Sequence, residues 1–162
     1  MSKRNIYLAH PNQQYGDNVF LPYSVGCLWA YAQTIPEIES EYRLAELIFM
    51  REPIRSIGDR MEQPDVLGLS CYLWNWEYNK ALARAVKLRW PECLVVMGGP
   101  QLPDKPLGFF SEHPYIDILV HQEGEVAFAA ILKGRLTFPV PRVPNTHVNE
   151  KHGTVSNMPS FG

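Results

Sequence analysis

Five short apolar runs alternate with stretches of helical character, and no other feature of the sequence narrows the possible folds as much. The runs occupy residues 5–10, 44–50, 65–70, 94–97 and 116–120. Strands that read as continuous apolar runs are buried on both faces, and their alternation with helices implies a parallel sheet with right-handed crossovers. The expected fold is an open, doubly wound α/β sheet. At 162 residues, a single core is expected, burying roughly 70% of the unfolded surface.

The helical stretches carry their own punctuation. Ser24 is placed to cap a helix running to Ala32, where Gly26 would let the backbone pack closely against a neighbour. Residues 54–60 follow Pro53 as a short helix. Asn75 caps the next, with Glu77 in its first turn and Tyr78, Leu82, Ala85 and Arg89 on its inner stripe. A further short helix is expected from Asp104 to near His113. The last spans residues 125–133, with Phe128, Ile131 and Leu132 inward and Gly134 as its stop. Residues 1–135 read as the domain. Residues 136–162, rich in Pro, Asn, Thr and His, read as a linker or extension.

Composition excludes several partners. A net charge of −2 argues against nucleic acid or an anionic membrane, both of which select basic surfaces. No apolar run approaches the roughly 20 residues of a membrane helix, and no signal-peptide core follows Met1, so a cytoplasmic location is expected. Cys27, Cys71 and Cys93 are neither a disulfide framework nor a metal-binding cluster.

In open α/β sheets ligands bind beyond the carboxyl ends of the strands. Four segments lie there: residues 10–23, 70–75, 98–102 and 121–125. No phosphate-loop or dinucleotide fingerprint is present. Gly98-Gly99-Pro100 gives either a bare backbone that a flat group can approach or a plain strand-ending turn. Ser70 either meets a ligand or bonds to backbone. Tyr72, Trp74 and Trp76 either wall a cavity or belong to the core. His121, Glu123 and Glu125 suit ligand or interface contact, although the carboxylates would also favour the helix they precede. His10 and His113, each beside a proline, read as structural.

Several motifs resemble the cobalamin-binding domain of B12-dependent radical S-adenosylmethionine enzymes. They are Asp65-Val66-Leu67-Gly68-Leu69-Ser70 with Asn75, Lys87-Leu88-Arg89-Trp90-Pro91, and Val95-Val96-Met97-Gly98-Gly99-Pro100. His113-Pro114-Tyr115-Ile116-Asp117, Glu123-Gly124-Glu125 and Leu21-Pro22-Tyr23-Ser24-Val25-Gly26 complete the set. The resemblance implies a Rossmann-like open five-stranded parallel sheet of order 2-1-3-4-5, with the corrin over the strand ends and its nucleotide tail dropped into the sheet. Carried over, Ser70 faces the tail and Gly98 and Gly99 leave room for it, so a side chain at Gly99 would fill its path. The loop from Asn12 through Tyr15 to Pro22 and Tyr23 lies under the corrin. Cys71, Tyr72, Trp74 and Asn75 meet its edge, Pro100 and Gln101 follow the glycines, and Glu123, Gly124 and Glu125 line the nucleotide side.

The Asp-x-His-x-x-Gly motif of histidine-ligating cobalamin domains is missing, so the resemblance implies binding with both base and histidine off the metal. No Cys-x-x-x-Cys-x-x-Cys cluster is present either. S-adenosylmethionine and the [4Fe-4S] cluster would then belong to a separate radical domain, in cis if the chain is truncated, near Met158-Pro159-Ser160. The implied role is a cobalamin-binding module for methyl transfer or radical rearrangement. Its competitors are a cofactor-free interaction domain docking a catalytic partner and a flavin- or nucleotide-binding protein. The missing phosphate loop speaks against the last.

Overall fold

The structure is a computed structural model that describes residues 2–135, 142–150 and 153–158. Its five parallel strands are β1 (Arg4–Asn12), β2 (Tyr42–Met50), β3 (Pro64–Ser70), β4 (Leu94–Gly98) and β5 (Ile118–Val120). Two more, β6 (Thr146–Glu150) and β7 (Gly153–Ser156), continue the sheet as an antiparallel pair. The order is β2-β1-β3-β4-β5-β6-β7. The expected 2-1-3-4-5 core is therefore present, but the sheet has seven strands rather than five. Pro159 and Ser160 lie outside the described residues.

Strand alternation assigns the two faces. Tyr7, Ala9, Leu67, Leu69, Val95 and Met97 pack on one side against α3 (Ile54–Arg60), α4 (Trp76–Arg89) and α5 (Phe109–Glu112). Ile6, Leu8 and Val66 pack on the other against α1 (Tyr23–Ala32), α2 (Pro36–Glu41) and α6 (Gly124–Gly134). Sequence reading missed α2. It also expected α5 to start at Asp104, but only its last turn is helical. The inner stripe of α4 is Asn79, Leu82, Ala83 and Val86, while Ala85 and Arg89 face solvent. The helix is thus rotated by about one residue from expectation, which brings the polar Asn79 inward. No atom lies within 4 Å of where a Gly26 side chain would begin, so no close approach explains that glycine.

At the amino ends of the strands, Asp117 joins three elements. Its Oδ2 accepts from Lys87 Nζ at 2.6 Å and from the Val95 N–H at 2.8 Å. Lys87 also donates to the Cys93 carbonyl at 2.6 Å. Replacing Asp117 by alanine orphans the Val95 N–H and one arm of the lysine, and should cost about 2 kcal/mol. Urea unfolding should show a lower midpoint at unchanged slope.

The hairpin is fastened by imidazoles. His121 Nε2 lies 2.8 Å from His147 Nδ1, and His147 Nε2 lies 3.2 Å from Ser156 Oγ. Burial holds both histidines below the ordinary value of 6.5; the Asp104 charge partly opposes this at His121, and His121 itself adds to it at His147. The folded state therefore binds fewer protons than the unfolded one below pH 6.5, and stability rises with pH across that window. It is complete above 6.5 and lost as pH falls toward the depressed values. Two protonated rings also leave no acceptor nitrogen for the bond between them. Amides of β6 and β7 should exchange faster at pH 5.5 than at pH 7.5, after correction for intrinsic rates, by more than those of β3.

Candidate functional site: a glycine-walled cavity at the strand ends

The parallel strands end at one edge, and the sheet's α1/α6 face opens there into a cavity of about 540 Å³. Its walls follow from alternation. Gly68 and Ser70 on β3, Val96 and Gly98 on β4, and Val120 on β5 all line it. Helix α1 contributes Ser24, Cys27 and Leu28; α6 contributes Gly124, Glu125 and Phe128. The volume falls in the usual range for small-molecule sites.

The glycines do different work. A Cβ on Gly98 would meet only the Val120 carbonyl, at 3.7 Å, so the backbone there has room for a side chain and the cavity exists where one is missing. A Cβ on Gly68 would lie 2.6 Å from Leu8 Cδ2, and one on Gly124 would lie 3.2 Å from Leu28 Cδ2, where α6 begins against α1. Gly99 has a φ of +105°, and a Cβ there would sit 2.4 Å from the Cys71 carbonyl oxygen. The expectation that a Gly99 side chain would fill a ligand's path is therefore corrected: it would drive into the Cys71 backbone instead. Gly98 is the position that opens the cavity.

Beside the cavity stands a stack of rings. His10 and Tyr72 lie nearly parallel with centroids 4.8 Å apart, and Tyr72 and Trp74 follow at 4.6 Å. The Trp74 indole N–H donates to Asn12 Oδ1 at 2.9 Å. Beneath the stack the β3–α4 junction is satisfied internally. Asn75 Oδ1 accepts from the Tyr72 N–H at 2.8 Å, and the Ser70 carbonyl accepts from Asn75 and Asn79, each at 3.0 Å. Asn75 thus precedes the helix as expected but braces the loop rather than capping the helix through its side chain. Ser24 is likewise no cap. It lies in the first turn of α1, 3.0 Å from His10 Nδ1 and 3.1 Å from Ser70 Oγ.

Of the residues singled out from sequence, Tyr23, Ser70, Tyr72, Gly98, Gly99, Pro100, Glu123, Gly124 and Glu125 are brought together around the cavity. Asn12, Tyr15, Pro22, Cys71, Trp74, Asn75 and Gln101 are not in its wall. Cys71 is fully buried, and burial pushes its thiol up to about 12. Its N–H donates to the Gly98 carbonyl at 2.7 Å, and its carbonyl accepts from the Gln101 N–H at 3.3 Å. Tyr15 stands in an exposed turn, edge-on to Phe20. Trp76 packs on Phe109 instead. His113 bonds the Tyr115 hydroxyl at 2.8 Å, the structural part expected of it. Sequence reading missed Ser24, Cys27, Leu28, Gly68, Phe128 and Gln122. The period of two through Val66, Gly68 and Ser70 would have found Gly68; nothing local marks Gln122, whose φ of 63° puts it in the left-handed region.

Among the described residues no histidine lines the cavity, and its charged wall residues are the carboxylates Glu123 and Glu125. No group of three or more His, Cys, Asp or Glu that could hold a metal ion occurs among them either. Glycine backbone, aliphatic and aromatic side chains and the hydroxyls of Ser24 and Ser70 suit a largely apolar heterocyclic ligand and do not suit a free phosphate. A family model described as the B12 binding domain matches residues 51–132. The chain belongs to that family.

Two curated relatives are similar to this B12-binding domain. One is the cobalamin-dependent radical SAM methyltransferase TokK of Streptomyces tokunonensis, 46% identical over 134 residues, or 83% of this chain and 19% of that protein. The other is the 2-(S-pantetheinyl)-carbapenam-3-carboxylate methyltransferase of Streptantibioticus cattleyicolor, 44% identical over 137 residues, or 83% and 20%. The chain thus spans about a fifth of the length of these relatives. Among solved structures, the radical S-adenosylmethionine methyltransferase TsrM of Kitasatospora setae, with cobalamin and a [4Fe-4S] cluster bound, is similar at a TM-score of 0.69 and 15% identity. That match covers 99% of this chain and 30% of TsrM, and shows the fold.

The Gly99 geometry gives a prediction for the B12-binding domain. Gly99→Ala should destabilise the cofactor-free protein by more than the roughly 1–3 kcal/mol that such a backbone conformation alone costs a side chain, because the added Cβ must also displace the Cys71 peptide. Gly98→Ala should stay within about 1 kcal/mol of the parent. Thermal unfolding of the two variants side by side checks both.

Proposed function

We propose that the domain holds cobalamin at this cavity, with base and histidine off the metal, as one module of a longer radical S-adenosylmethionine methyltransferase. The observation that carries the reading is the recess in front of Gly98, walled by α1 and α6 and floored by β3 and β4. It has room for a heterocycle and its sugar, not for a macrocycle. The tail would enter it, with Ser70 at its base and Gln122, Glu123, Gly124 and Glu125 beside the nucleotide. The macrocycle would lie across the rim, over Tyr72 and Trp74 and the loop from Asn12 to Tyr23. Pro100 borders the recess, while Cys71, Asn75 and Gln101 act from behind, fixing the loops that carry those contacts.

Bound there, cobalamin supplies the methyl-carrying metal centre. The chain's own residues bind and orient. His10 is only 9% exposed, packed beneath Tyr72 and bonded to Ser24, which fits binding without a histidine ligand. Similarity to the two long methyltransferases supports a radical domain in cis carrying S-adenosylmethionine and the [4Fe-4S] cluster. Three free cysteines, two of them buried, and helices too short or too polar to cross a membrane among the described residues support a cytoplasmic location.

Titration with hydroxocobalamin, desalting and an absorption spectrum test the reading. Near-stoichiometric retention with a base-off spectrum is expected, and Gly98→Leu should weaken it at least about tenfold by filling the recess. Failure of the parent to retain cobalamin at micromolar concentration overturns the reading in favour of a cofactor-free interaction domain.

A further inference from the structure

A chain of hydrogen bonds runs from the interior to the cavity. His10 Nδ1 lies 3.0 Å from Ser24 Oγ, which lies 3.1 Å from Ser70 Oγ. Ser70, 8% exposed, ends the chain at the cavity wall. At the other end His10 Nε2 is buried without a partner. The orphaned atom decides which way the protons point. If Nε2 carried the hydrogen, a donor would be buried with no acceptor, the rarer and costlier kind of unsatisfied group. If Nδ1 carries it, only a lone pair is unmet. Nδ1–H then donates to Ser24, and the two serines, which share one hydrogen bond and both line the cavity, leave one hydroxyl proton for it: that of Ser70 when Ser24 donates to Ser70. Burial, which lowers the His10 pKa, disfavours the doubly protonated ring that would blur this choice. The parallel stack on Tyr72 holds the imidazole plane so that Nδ1 faces Ser24.

We propose that His10 and Ser24 are positioning residues that turn the Ser70 hydroxyl proton toward the cavity, so that the site selects a ligand with an unprotonated acceptor atom at its base. Resting on the cobalamin reading, this makes the nitrogen of the tail's benzimidazole the atom selected. The relay explains why a buried histidine sits beside a cofactor cavity without reaching into it. It also gives Ser24 a part that capping does not.

The test has two arms. Long-range ¹⁵N–¹H correlation on the cofactor-free protein reads the His10 tautomer directly, and the Nδ1–H form is expected; the Nε2–H form overturns the relay whatever the protein binds. Affinities for cobalamin and for cobinamide, which lacks the nucleotide tail, provide the second readout. The parent should prefer cobalamin, and Ser70→Ala should lose about tenfold of that preference. Ser24→Ala should lose roughly three- to tenfold, and His10→Asn, which keeps a donor near the Nδ1 position, should lose less than His10→Leu. A circular dichroism spectrum like the parent's should show an intact fold in the Ser24 variant. Full preference retained in Ser24→Ala overturns the proposal while leaving cobalamin binding in place. If the parent binds neither corrinoid, the cobalamin reading falls, and the tautomer still decides the relay.

Discussion

The close approach of two backbones at the ends of β3 and β4 sets the geometry of everything above the sheet. Cys71 and Gly98 share a hydrogen bond of 2.7 Å, and Gly99 lies against the Cys71 peptide where no side chain fits. With the clamp closed, Gly98 is the last strand residue on the α1/α6 face, and its missing side chain leaves the recess. Across the same clamp, Cys71 is sealed in and Tyr72 is carried out over the edge, where its ring meets His10. A glycine that seems to serve a ligand therefore serves the loop. Its neighbour, under no conformational constraint, is the one that makes room.

The same contrast explains what could be read from the sequence. The parallel strands announced themselves because both of their faces are buried, as at Ile6, Leu8, Leu67 and Leu69. The hairpin was hidden because β6 and β7 form the sheet's end: Thr146, His147 and Asn149 meet their partners through polar groups, so neither run looks apolar. Helix α2 is about a turn and a half of mostly polar residues, with only Ile38 buried. At the site, residues whose chemistry shows in their type were legible: Ser70, Tyr72, Gly98, Glu125. Those whose importance comes from facing the cavity were not. Leu28 and Phe128 look like any core residue, and Ser24 looks like a cap. His10 looks structural beside Pro11, and its connection to Ser70 across 60 residues leaves no trace in local sequence.

The cavity's electrostatics also narrow its occupant. The sequence lacks a phosphate loop, and the wall carries two carboxylates and, among the described residues, no lysine or arginine. A ligand held mainly by phosphate would meet repulsion where it needs positive charge. Backbone, aliphatic surface and a pair of linked serine hydroxyls instead reward shape and a well-placed acceptor. Recognition of this kind depends on pre-positioning, because a single neutral hydrogen bond contributes only about 1 kcal/mol net. It counts only if its direction is fixed before the ligand arrives, which is why a buried chain behind Ser70 matters.

Around the mouth the pattern reverses. Leu21 and Leu73 are each 79% exposed and Tyr23 is 81% exposed, with Phe20 and Trp74 more than half exposed. Single exposed apolar residues are ordinary, but several on loops at one edge of a sheet call for a cover. The recess can take only part of a large cofactor, so the remainder would lie on this rim and cover some of it. The rest fits the proposal that the domain is one part of a longer protein, since the chain spans about a fifth of its long relatives. The buried Ser70 hydroxyl thus works in the interior, where water competes least, and the apolar surface suits the broad, flat contacts that need area more than direction.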